Sequence, residues 1–419
     1  MKKKNILVLA TLDERGRGHG WSQYIRFKEL GHNVQFLCLL RTQADTPKEY
    51  CIIDSFSKYS WRYIWYKLWG TLEKIMFAPY PSMRAMYKGV DYASSNDILK
   101  RLQHKPDLIV VCSYQFFLSP HSLYKIYNET KSEMCFIMVD EKTLGGGCPY
   151  PQFGCEQYIT GCKNCPYYRY EKFIPRKIYE DKVKWFSKIP FHLIGAAADI
   201  RKAKQVPFLR DKQLHAEVTN PKIPFELSKE EARKRLNLPH SDYIIMCGAV
   251  NLNDWKKGFK EFAESLAIFA KESLRDKTVS VLLLTKNQII TSLPDSIRII
   301  SLGFLDMDSL YTAFYASDVF ASPSIMDSGP MMVNYSMACG RPVVAFPVGI
   351  AQDLVVHKET GWMAEMQNIT DFAKGLEYFY QLDDQKLLQA GEKCKNHVKK
   401  SSEKYLDYFM NIFIEPVNE

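Results

Sequence analysis

The sequence predicts an α/β fold: two Rossmann-like, doubly wound parallel-sheet domains facing a cleft. Three observations carry that expectation. The 419 residues exceed what one ordinary core of about 100–200 residues holds. Short, continuous apolar runs alternate with helix-period segments, and the alternation restarts after Pro239. With 46% apolar and 25% charged residues, the chain reads as globular rather than disordered or fibrous.

Taken in order, NILVLA from Asn5 reads as a buried first strand. The basic residues before it imitate a signal peptide, but the apolar run stops at Thr11, too short for an h-region and without a small-residue cleavage site. A loop with Gly16, Gly18 and Gly20 follows. Next comes a helix around Trp21–Leu30 with Trp21, Ile25 and Leu30 on one face, ended by Gly31. NVQFLCLL is the next strand, and DLIVVCS and MCFIMVD read as buried parallel strands because they are continuous rather than alternating.

In the second half YIIMCGAV, VSVLLLT, DVFASPS and PVVAF continue as strands. An amphipathic helix over Phe259–Leu274 turns Phe259, Phe262, Ala263, Leu266, Phe269 and Ala270 inward, and another helix runs from about Pro330 to Cys339. The boundary falls within HAEVTNPKIPFELS. Residues 1–222 and 223–400 are the expected domains, with 401–419 a terminal helix.

In open α/β sheets ligands sit outside the carboxyl ends of strands, so chemistry is expected at Gly16–Gly20 and after Asp140, Val250 and Ser324. RGRGHG lacks the full dinucleotide fingerprint, and no acid closes the second strand at Arg41, which argues against NAD. A flexible turn fits this loop, and so does a loop letting amides near Gly18 approach a phosphate or sugar. Lys256 and Lys257 precede a helix start, where a cation can reach a bound anion; from the residues alone a solvated basic turn is the default reading. Asp327 ends a strand-to-helix loop, Gly329 permits close approach, and Pro330 suits the first helical position. The amides of Met331 and Met332 would then point into the cleft with the helix dipole behind them. Asp306 and Asp308 read as helix-capping acids, leaving no catalytic divalent-metal site.

Net charge is +9, which suits phosphate-bearing ligands or an anionic membrane surface. Trp61, Trp65, Tyr66 and Trp69 fall at helical spacing among Arg62, Lys67 and Lys74. Core packing is the default reading, and an interfacial helix touching the inner membrane face is the sharper one. No nucleic-acid module accompanies these aromatics, so nucleic acid is not an expected partner. No run approaches the roughly 18 apolar residues of a membrane span, and the expected location is cytoplasmic, where thiols stay reduced.

The stretch from Ile300 to Trp362 resembles glycosyltransferase family 4, retaining enzymes of GT-B fold. Lys257–Gly258, Pro323–Ser324, Met337–Gly340 and Thr360–Gly361 carry the likeness in that order, and GHNV from Gly31 adds to it. The resemblance implies transfer of a sugar from a nucleotide-sugar to a saccharide or lipid-linked acceptor. The cysteine stretch from Gly145 to Pro166 is similar to a subset of that family in bacterial surface-polysaccharide assembly.

Carried over, Asp327 matches the first acid of the family's E-x7-E element beside the donor sugar, and Lys257 matches the lysine that meets its diphosphate. Tyr335 stands where the second glutamate would be, and no arginine lies near Val250, a place Lys256 could fill. CSYQF stands where the family carries a histidine. The implied mechanism stabilises the leaving diphosphate with Lys257 and helix amides while the acceptor attacks the same face. The departures motivate an alternative: a GT-B-shaped nucleotide-sugar-binding or scaffold protein without transfer. The resemblance also implies that the apolar tail over 401–419 crosses back to the first domain.

Four of the eleven cysteines gather between Lys142 and Tyr170, a stretch without helical or strand periodicity. Such a loop needs something to order it. Cys148, Cys155, Cys162 and Cys165 can do so as a four-thiolate structural zinc site, since Cys162 and Cys165 have two-residue knuckle spacing. Free thiols and disulfides are the alternatives. Leaving the carboxyl end of a strand, the loop is expected on the acceptor side.

Overall fold

Continuous apolar runs become central strands because both faces of each sheet are covered by helices. A computed structural model describes residues 3–13, 19–57, 60–76, 87, 89–151, 155–168, 173–218, 221–274, 278–289, 292–327 and 329–413. The side chains of His19, 73–76 and 404–413 are not described.

The chain forms two units, each around its own parallel sheet. The first begins β1 (Asn5–Leu12), α1 (His19–Glu29), β2 (Asn33–Arg41), β3 (Cys51–Asp54), α2 (Trp61–Met76), α3 (Ser95–Leu99) and β4 (Leu108–Val111). It continues α4 (Pro120–Thr130), β5 (Glu133–Ile137), α5 (Gln157–Thr160), α6 (Phe173–Phe186), β6 (His192–Gly195), α7 (Ala197–Ala203) and β7 (Gln213–Ala216). Its strand order is β3-β2-β1-β4-β5-β6-β7.

The second unit begins α8 (Lys229–Arg235), β8 (Tyr243–Gly248), α9 (Phe259–Glu272), β9 (Val279–Leu284), β10 (Arg298–Ser301), α10 (Met307–Ala316) and β11 (Val319–Ser322). There follow α11 (Met331–Ala338), β12 (Val343–Ala345), α12 (Ala351–Leu354), β13 (Gly361–Met363), α13 (Ile369–Tyr380) and α14 (Asp384–Phe413). The order β10-β9-β8-β11-β12-β13 reverses direction between β8 and β11, as the first sheet does between β1 and β4. Alternate residues of β8 and β9 enter opposite cores: Ile245, Cys247 and Val281 meet α9 and α13, while Ile244, Met246 and Leu282 meet α10 and α11.

Several expectations are corrected by the side chains. The buried face of α1 is Gln23, Tyr24 and Phe27, while Ile25 is 37% exposed, because the helix is rotated from the face its apolar residues suggest. Core packing does not hold for Trp61 and Trp65 of α2, while Trp69 is half-buried. Tyr63 and Tyr66 turn inward, and Trp61 and Trp65 are 71% and 47% exposed. Ring stacking of Trp61 on Trp65 and of Trp65 on Trp69, at 6.4 and 6.2 Å, forms a ladder along the outside. The helix after Asp327 starts at Met331, with Pro330 as its cap rather than its first residue. Nor is the cysteine loop without secondary structure: a 3-10 turn at Glu141–Thr143 and the single turn of α5 lie within it. The tail is helical to Phe413, and the side chains invoked for its return to the first domain lie outside the described residues. No helix among the described residues is long and apolar enough to cross a membrane.

A buried polar hub ties α8 to the second sheet. Asp318, just before β11, accepts from Arg233 Nη2 at 2.7 Å, Lys229 Nζ at 3.0 Å and the Ile244 amide at 2.8 Å. Arg233 also donates to the carbonyls of Ala316 and His240. Removing one partner of such a pair strands a buried charge. Asp318→Ala is therefore expected to destabilise the second unit by about 3–5 kcal/mol, read from the urea midpoint. An unchanged midpoint would contradict the role given to this hub.

Candidate functional site

The carboxyl ends of β8 and β11 lie side by side at the reversal of strand order, where α/β sheets open a crevice for ligands. After β8 the chain makes a 3-10 turn over Trp255–Lys257. Asp254 caps it by accepting from the Lys256 amide at 3.2 Å and ion-pairs with Lys256 Nζ at 3.2 Å. Gly258 then adopts φ +65°, and α9 begins.

That glycine is required twice over. Its conformation is left-handed, and an added Cβ would stand 1.8 Å from the Pro323 carbonyl oxygen in the loop after β11. The same approach lets the Ile325 and Met326 amides donate to the Lys256 carbonyl at 2.9 and 3.2 Å. The two loops are thus strapped together. Across the strap, Lys257 Nζ lies 2.6 Å from Asp327 Oδ2, with the side chains 33% and 10% exposed. The other oxygen, Oδ1, accepts from the Gly329 amide at 3.2 Å.

The structure therefore joins Lys257, Asp327 and Gly329 directly. Met331 and Met332 head α11, where first-turn amides have no intrahelical acceptor. A Cβ built on Gly248, at the end of β8, would lie 3.3 Å from Met332 Cε, so this helix start abuts the strand end. A Cβ on Gly329 would meet nothing within 4 Å, so that side of the loop is open. Tyr335 instead turns to the core and packs edge-on against Tyr311 at 5.7 Å. Gly18 lies outside the described residues. Asp306 caps α10, accepting from the Ser309 amide at 2.8 Å, as the capping reading expects.

In the first unit Cys148, Cys155, Cys162 and Cys165 all line one cavity of about 20 Å³. No disulfide links any of the eleven cysteines, all of which are among the described residues. Burial pushes the Cys148 thiol up, and that of Cys162 up to about 11. Sequence reasoning missed Lys182, a fully buried lysine of α6 whose ammonium burial pushes down to about 8. Its acceptors, the carbonyls of Lys142 and Gly145, are too distant in the chain to be read from α6. It also missed Asp254, for which the cap before a basic turn was the available signal.

Residues 241–381 match the family model described as Glycosyl transferases group 1. The matched segment lies within the second unit and makes up roughly a third of the chain. An uncharacterised glycosyltransferase of Haemophilus influenzae is 36% identical over 80 residues, covering 18% of this chain and 22% of that protein. The chain thus spans less than a quarter of that relative's length. Sucrose-phosphate synthase from Thermosynechococcus elongatus matches the structure at TM-score 0.64 and 14% identity, over 98% of this chain and 99% of that one. HepE from Anabaena in complex with UDP and glucose matches at TM-score 0.55 and 13% identity, over 97% and 100%. These likenesses give the GT-B fold. Lys257 and Asp327 lie within the segment that matches the glycosyltransferase family.

Proposed function

We propose that the chain is a retaining glycosyltransferase that moves a sugar from a nucleotide-sugar to a saccharide or lipid-linked acceptor in surface-polysaccharide assembly. The Lys257–Asp327 pair at the strand reversal of the second sheet carries the reading. A lysine and the amides heading α11 suit a leaving diphosphate, whose charge grows as the glycosidic bond breaks. Asp327 suits the opposite charge developing at the anomeric carbon. HepE, bound to UDP and glucose, supports a nucleotide-sugar donor by analogy of fold. The exposed Trp61–Trp65 ladder of α2, with Leu68 and Leu72 also exposed, supports peripheral contact with the inner membrane face.

Incubation with a panel of nucleotide-sugars, without acceptor, tests the reading. The expected result is thermal stabilisation by one donor, about 2.7 kcal/mol at 100 times its Kd, with slow release of nucleoside diphosphate. Neither binding nor hydrolysis across the panel would overturn it. Binding without hydrolysis would favour the second reading, a nucleotide-sugar-binding protein without transfer, which the inward turn of Tyr335 supports.

A further inference from the structure

The loop between β5 and α6 is wrapped closely around its cysteines. An added Cβ on Gly145 would stand 3.3 Å from Cys162 Sγ, one on Gly146 2.4 Å from the Pro175 carbonyl oxygen, and one on Gly147 2.4 Å from that of Tyr87. The Gly146 amide donates to Cys162 Sγ at 3.1 Å, and Cys162 itself takes φ +55°. Such an amide donor suits a sulfur that carries negative charge.

A second observation concerns the lysine that holds the start of this loop. Lys182, fully buried, donates from Nζ to the carbonyl of Lys142 and, at 2.5 Å, to that of Gly145. Among the described residues no carboxylate forms an ion pair with it. Its hydrogen bonds go to carbonyls, the Asp140 carboxylate supplies part of the negative charge that stabilises a buried ammonium, and thiolates at Cys148 and Cys162 would supply more. The bonded Gly145 carbonyl immediately precedes the residue whose amide meets Cys162.

We propose that Cys148, Cys155, Cys162 and Cys165 bind one structural Zn²⁺ as four thiolates. Binding releases four thiol protons and leaves a site of net charge −2, which Lys182 partly offsets. Among the described residues no group of three or more His, Cys, Asp or Glu side chains is already set to hold a metal ion, so ligation requires the thiols to rotate towards the cavity they share. That cavity, at about 20 Å³, exceeds the roughly 10–15 Å³ a single water needs. Closing at Zn–S distances near ~2.3 Å would fix both ends of a loop that otherwise has one 3-10 turn and one α-helical turn of its own. The site is structural, because four protein ligands leave no position for substrate, and it does not depend on the proposed transfer activity.

Elemental analysis of the full-length, untagged protein purified without added metal tests the proposal. About one zinc per chain is expected, lost in the Cys162→Ser, Cys165→Ser double variant. Replacement by Co²⁺ is expected to give the thiolate-to-cobalt charge-transfer absorption of a tetrahedral all-sulfur site. Clearly substoichiometric zinc in the unaltered protein, with all four thiols reacting as free or found in disulfides, would overturn it. So would zinc retained at full stoichiometry by the folded double variant. Should that variant not fold, the metal content and cobalt spectrum of the unaltered chain decide the question.

Discussion

Lys257→Ala is expected to lower kcat/KM for sugar transfer by roughly 10- to 150-fold, the equivalent of a charged hydrogen bond of ~1.5–3 kcal/mol. The ion pair makes the effect on nucleoside diphosphate affinity larger than loss of one contact would. Without the lysine, Asp327, whose side chain is only 10% exposed, faces the incoming phosphates as an uncompensated negative charge. Asp327→Asn should behave oppositely in binding: it frees Lys257 for the diphosphate, so product affinity is held or raised while kcat falls. That division between binding and turnover marks an interaction made mainly in the transition state. Isothermal titration with the nucleoside diphosphate and steady-state kinetics measure both halves. Equal loss of affinity in the two variants, or full turnover in Asp327→Asn, would remove the roles assigned here.

Gly258→Ala is expected to be as damaging although its side chain touches no ligand. Left-handed φ costs a non-glycine residue about 1–2 kcal/mol, and the methyl group would sit 1.8 Å from the Pro323 carbonyl oxygen. The only relief is to part the turn after β8 from the loop after β11. That breaks the hydrogen bonds that the Ile325 and Met326 amides donate to the Lys256 carbonyl and moves Lys257 away from Asp327. Since a displacement of about 1 Å can cost roughly 100-fold in rate, turnover and donor-induced thermal stabilisation should both be nearly lost. Gly303→Ala is the matched control, because its φ of +69° carries the same left-handed cost while its Cβ would meet nothing within 4 Å. Equal activity in the two variants would show that the strap does not position the site.

Central strands were the legible part of the fold, because burial on both faces forces an uninterrupted apolar run, as in β1, β4, β5, β8 and β9. The strands left unread are short. Four of them, β3, β7, β10 and β13, are sheet edges, and β10 is largely solvated, so its residues carry no burial signal. The site was legible in part: position after strands, with the family likeness, pointed to Lys257 and Asp327. Their contact across 70 residues was not, nor was the choice of which face of α2 meets the core. Helical spacing records that Trp61, Trp65 and Trp69 share a side. It does not say that Tyr63 and Tyr66 win the inner one.

The strand orders have a consequence for the newborn chain. In each sheet the strand made first ends up in the middle, so its two edges are covered at very different times. β2 reaches one edge of β1 soon after a single helix, but the other waits for β4; the Asn5 amide and its Asp107 acceptor are 102 residues apart. At about 5–20 residues per second of synthesis, that edge stays open on the ribosome for roughly 5–20 s. An exposed, apolar strand edge recruits other chains. Lys3 and Lys4, just ahead of NILVLA, add like charge next to that strand during the interval, which opposes its pairing with a strand of the same sequence from another chain.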